Sequence, residues 1–312
     1  SFMAAGSAYA VHGLPMIPFY IFYSMFGFQR VGDMIWSCGD MMCKGFLLGG
    51  TAGRTTLNGE GLQHQDGHSH ILASTVPNLR SYDPAFGFEV AALVREGMHQ
   101  MYELQQDVFY YLTLYNENYP MQSLSQIAEQ SQTDEATVRQ GVIAGGYCCY
   151  RGLEAAECSV HILASGSIMQ QALLAKDILE GSEIGVCIWS MTSFIELQRD
   201  ALACQQYNRE NPQAQAKVSR LEQMFQGESG VFIAVTDYMA ALAQGIAAWM
   251  PAGFEVLGTD GYGLSESRSR LREHFSVDAV AVAEASVSAL YRNRHMTEDK
   301  FAAVMQTVRH GN

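Results

Sequence analysis

No two cysteines in this 312-residue sequence stand at C-x-x-C spacing, so neither a zinc knuckle nor a thioredoxin-type dithiol is available. The seven cysteines (38, 43, 148, 149, 158, 187 and 204) are odd in number, which makes a reducing, cytoplasmic setting the expectation. Basic residues are scarce. Lys and Arg number 19 against 32 Asp and Glu, and the formal charge of −13 repels phosphate backbones and anionic lipid, so neither nucleic acid nor a membrane is an expected partner. The longest apolar run, Leu14 to Phe28, carries Pro15 and Pro18 and stops at Arg30, too short and broken for a membrane span. No basic stretch followed by a small-residue cleavage site marks a secretory signal. Gly59-x-Gly61 and Gly261-x-Gly263 do not complete G-x-G-x-x-G, and the P-loop and G-x-S-x-G signatures are missing, which excludes the common nucleotide-loop and serine-hydrolase readings. An initiator methionine is also missing. Ser1 to Ala10 reads as a helix already in progress, as expected of a piece of something longer.

What is present is apolar and alternating. Hydrophobic residues make up 48% and charged residues 16%, so much surface is hidden, some of it in subunit contacts. The length suits two domains, each with a core. Residues 16–23 alternate isoleucine with aromatics, as in a strand covered on both faces. Val31, Met34, Ile35, Cys38 and Met42 recur at helical spacing. Strands are expected at 46–48, 79–82 and 108–115, with Asp83-Pro84 as N-cap and first turn of a helix over 85–102. Residues 116–140 turn to Ser, Gln, Glu and Thr and read as a linker with a short helix. A second alternating unit follows, with strands at 160–164, 186–189, 231–235 and 255–257, and helices near 279–292 and 297–308 close the chain. The fold class is α/β, two doubly wound domains over 1–128 and 129–312.

The stretch Gly53 to His70 holds four glycines and three histidines without periodicity and reads as a shaped loop. Together with the run Pro15 to Arg30 and with Ser81-Tyr82-Asp83-Pro84, it resembles the pyrimidine-binding domain of the homodimeric bacterial pyruvate dehydrogenase decarboxylating component, within the transketolase-like superfamily. Val256 to Arg268 and Leu271 to Phe275 resemble the C-terminal domain of transketolase-like enzymes. The resemblance implies thiamine diphosphate as cofactor, with Mg2+ held by a separate domain whose G-D-G motif does not occur here: Gly39-Asp40 is followed by Met41. It also implies a homodimer or a partner chain carrying the diphosphate-binding domain, a lipoyl-bearing acetyltransferase component as further partner, and pyruvate as substrate. A sister enzyme acting on 2-oxobutanoate and a non-catalytic dimerisation module are the alternatives.

Read from the residues alone, Tyr23 and Phe26 are core aromatics that lie just past the end of a strand, where open α/β sheets place ligands. The resemblance puts both against the aminopyrimidine ring and gives Tyr23 a donor toward substrate. His64, His68, His70 and Asp66 offer metal-type donors, but in a glycine-interrupted loop rather than at helical spacing. Turn-bonded histidines are the structural alternative. The resemblance assigns His64 to the active site, holding the carboxylate of a 2-oxo acid, and no metal site is expected in this chain. Arg30 reads as solvated or paired with Asp33, and Cys148-Cys149 as packing.

Overall fold

The computed structural model describes residues 1–152 and 158–310 and contains two sheets. The first has four strands, β1 (Phe19–Tyr23), β2 (Phe46–Gly50), β3 (Leu79–Tyr82) and β4 (Phe109–Thr113), all parallel in the order β1-β2-β4-β3. The second has five, β5 (Tyr147–Arg151), β6 (Cys158–Ala164), β7 (Gly185–Ser190), β8 (Val231–Val235) and β9 (Phe254–Leu257), in the order β5-β7-β6-β8-β9. Every pairing here is parallel except β5 with β7. The inner strands β4, β7 and β8 are buried at every position, which is why their sequences read as continuous Val, Ile and aromatic runs. Helices cover the faces, and one contiguous apolar cluster runs from Phe28 to Val308 through both sheets. No helix among the described residues is long and apolar enough to cross a membrane.

Four expectations are corrected. Strand β1 is an edge strand with one neighbour and a largely exposed surface, Ile21 at 70%, rather than a strand covered on both faces. Its apolar side chains report an uncovered surface, which composition alone does not distinguish from a core. The polar segment 116–140 is mostly not a linker: Leu124–Gln130 and Glu135–Ala144 are helices, the first capped by Ser123 and the second by Asp134. They bury Ile127 and Val138. Asp83 does not cap the next helix, which starts at Gly87. Its carboxylate accepts instead from Thr113 Oγ1 (2.6 Å), Ser165 Oγ (2.7 Å) and the Tyr115 hydroxyl. The capping is done by Glu89, which reaches back to the amides of Ala85 (2.5 Å) and Phe86 (3.0 Å) while accepting from Tyr147 and Ser190, both at 2.6 Å. Burial pushes this carboxyl up. Finally, Cys148 and Cys149 lie on β5, the antiparallel edge strand that the alternating pattern omits.

Candidate active site

Strand β1 stops where its side chains require it to. Phe22 stacks on Tyr111 (6.0 Å, 2°), and the helix Ser24–Asp40 starts directly after Tyr23. Gly27 lets that helix lie on the Phe22 ring, since a β-carbon there would sit 1.9 Å from it. The turn from strand to helix leaves Tyr23 half exposed at the strand's C-terminal end and presents Phe26 one helical turn on. One further turn places the Arg30 guanidinium 4.0 Å from the Phe26 ring centroid. Arg30 is therefore seated on an aromatic face rather than paired with Asp33 as the sequence reading had it, because the four-residue step on the helix stacks it over Phe26.

The glycine-rich loop brings His64 to this pair. Its ring stands edge-on to Phe26 at 5.1 Å (70°) and to Tyr23 at 6.1 Å (64°), and the two aromatics are 5.9 Å apart. The His64 amide closes a turn on the Gly61 carbonyl (3.2 Å), and Gly61 takes the left-handed conformation at φ 75°. His64 Nδ1 is buried without a hydrogen bond and has the Glu60 carboxylate 3.5 Å away.

The loop owes its shape to the second half of the chain. Thr55 N–H donates to both oxygens of Asp237 (3.0 and 3.2 Å), Arg54 Nη1 to the Gly261 carbonyl (2.6 Å), and Arg268 Nε to Thr56 O (2.7 Å). Gln65 bridges to Leu264 in both directions, at 2.9 and 2.8 Å. Burial raises the Asp237 carboxyl to about 7, against the opposing pull of Arg272 and the Thr55 amide. Asp66 caps the turn that follows, accepting from His68 N (3.0 Å) and Ser69 N (2.9 Å).

The three histidines go separate ways. His68 Nε2 lies 2.7 Å from the side-chain nitrogen of Gln29, a neighbour that sequence reasoning did not single out. His70 is fully buried between Ser81 Oγ (2.7 Å) and Thr113 Oγ1 (3.1 Å), and burial lowers its pKa. No three His, Cys, Asp or Glu side chains among the described residues form a metal-binding group.

Residues 1–122 match the pyruvate dehydrogenase E1 component middle domain, and residues 145–278 the transketolase-like TK C-terminal domain. The pyruvate dehydrogenase E1 component of Pseudomonas aeruginosa is 49% identical over 292 residues, covering 93% of this chain and 32% of that protein. This chain belongs to the pyruvate dehydrogenase E1 family. The E1 component of Escherichia coli K12 is 45% identical over 293 residues, with the same coverage, so the chain spans about a third of the E1 components it resembles. Among solved structures, the transketolase of Campylobacter jejuni superimposes with a TM-score of 0.63 at 19% identity, over 92% of this chain and 38% of that one. A split-gene transketolase described as an inactive beta4 tetramer gives 0.64 at 17%, over 93% and 81%. At such identities these two establish the transketolase-like fold and nothing further.

E1 and transketolase-like proteins depend on thiamine diphosphate. The residues present fit the ring half of that cofactor, because two aromatic faces and an imidazole converge at the mouth of the sheet.

Proposed function

We propose that this chain forms the pyrimidine-side half of the decarboxylating site of a pyruvate dehydrogenase, within a larger subunit or beside a partner chain that supplies the diphosphate-binding domain and the Mg2+ ligands. The convergence of Tyr23, Phe26 and His64 at the C-terminal end of β1 carries this reading. Thiamine diphosphate supplies the electron sink for loss of CO2 when bound. Phe26 and Tyr23 offer flat faces to its ring, and the Tyr23 hydroxyl a donor toward substrate. The imidazole of His64 donates to the substrate carboxylate, with Glu60 on its Nδ1 side. Arg30 stiffens Phe26 from behind. A lipoyl-bearing acetyltransferase component is the proposed acceptor, the cytoplasm the proposed compartment, and a division near residue 128 the proposed domain boundary, since each half holds one sheet.

The test is His64→Ala in the complete enzyme. Loss of one oriented donor in a water-poor site costs about 10²–10³ in turnover, while cofactor affinity, set by diphosphate and ring contacts elsewhere, stays near that of the parent. Steady-state kinetics with pyruvate and a cofactor titration measure both. Unchanged turnover would remove His64 from the site and leave the glycine-rich loop a structural element only.

A further inference from the structure

A second cleft lies at the opposite edge of the first sheet. It encloses about 430 Å³, within the range of about 300–1,000 Å³ of small-ligand sites. Its wall is β3 on one side and the helix Phe194–Glu210 on the other, with Arg220 closing the end. In strand register, Arg80 lies level with Tyr110 and Phe46, at the N-terminal ends of the strands, whereas Tyr23 lies at the C-terminal ends. Two strands, β2 and β4, separate the edges, so at about 4.8 Å per spacing the clefts share no residue.

The cleft holds three guanidinium groups in a chain with a net charge of −13. Two of them are committed. Arg80 pairs with Glu196, and Arg199 donates to the other oxygen of the same carboxylate (2.8 Å) and to the carbonyls of Leu79 (2.6 Å) and Val76 (2.8 Å). Glu196 is thus neutralised twice over. Arg220 is different. Its backbone N–H donates to Asp200 (2.6 Å), and the one hydrogen bond of its guanidinium among the described residues is a long one, from Nη2 to the Gly146 carbonyl at 3.3 Å. A guanidinium that makes one long hydrogen bond keeps most of its donors uncommitted, and an oxyanion is the acceptor that its geometry suits best. Desolvation already lowers the Arg220 pKa, with only Asp200 opposing, so a ligand charge would relieve a strained cation.

We propose that this cleft is a binding site for a small oxyanion, a phosphate ester or a carboxylate, held by Arg220 and separate from the aromatic–histidine site. Inorganic phosphate and citrate, titrated separately into the 312-residue chain by calorimetry in a chloride buffer, distinguish the two sources. The 1H–15N signal of Arg220 Nε is followed in parallel. The proposal expects saturable binding of at least one probe, a shift of the Nε signal at the same midpoint, and binding about tenfold or more weaker in Arg220→Gln. Arg220→Lys, which keeps the charge and loses the fork, should fall between. Binding that survives Arg220→Gln unchanged, an Nε signal that does not move, or no saturation by either probe would each overturn the assignment. Should Arg220→Gln fold poorly, the Nε signal in the parent chain decides alone.

Discussion

Asp237 is the residue whose chemistry is most open to measurement. A carboxyl raised to about 7 when folded, from an ordinary 3.8, binds a proton in the folded state that the unfolded chain has released. Its contribution is therefore fully present below pH 3.8 and is lost as the pH climbs to about 7, by at most about 4 kcal/mol. His70 has the opposite sense: its lowered pKa means stability rises with pH up to its ordinary 6.5. Denaturant titrations across this window should show Asp237→Asn losing less stability than the parent as the pH rises. An unaltered slope would mean that Asp237 is ionised throughout. These roles were not legible beforehand, because the partners of Asp237 lie 182 residues away and those of Asp83 up to 82 among its close contacts. The runs that carry Tyr23, Phe26 and His64 stood out by their family likeness, and the three rings do converge, whereas the reading of Arg30 as solvated or paired with Asp33 overlooked its helical neighbour Phe26, on which it lies.

Among the elements, the helix after β1 depends on a single hydrogen atom in place of a methyl group. Gly27→Ala puts a carbon into the Phe22 ring, which is itself stacked on Tyr111, so the helix or the ring must move. Overpacking of this kind costs about 1–3 kcal/mol. A fall in Tm on that scale, accompanied by a change in the aromatic NMR signals of Phe22, is the expected result; a neutral substitution would show that the helix start is compliant. Most strands were readable from apolar runs, and 79–82 and 231–235 match residue for residue. The segment 124–144 was not, because its helices bury one or two side chains per turn and present Ser, Gln and Glu elsewhere, which in sequence resembles a linker. Protease susceptibility separates the two pictures. Residues 211–218 are exposed and irregular, so first cuts should fall there and spare 124–144. Early cleavage inside 124–144 would restore the linker reading.

Taken whole, the molecule leaves one apolar region unclothed. Phe19, Tyr20, Ile21 and Tyr23 on β1, with Val11, Leu14, Met16 and Ile17 just before it, are all exposed. A patch on this scale is unusual for a monomer. Sedimentation of the isolated chain should therefore show association that weakens when Ile21 is replaced by Glu, with the fold intact by circular dichroism. A monomer at all concentrations would mean that the edge is protected by its twist and its neighbours alone.

The loop bonds described above also set an order of events during synthesis. Thr55, Gln65 and Arg54 are made before the groups that shape them: Asp237, Gly261, Leu264 and Arg272 lie 182 to 217 residues further on. Closing such long separations is the slow part of folding. While the ribosome is still adding the second sheet, the segment carrying His64 has its residues but not its form. Tyr23 and Phe26 wait for a histidine whose loop is set in place by residues 237–272, so the segment made sooner is the part of the site that matures later.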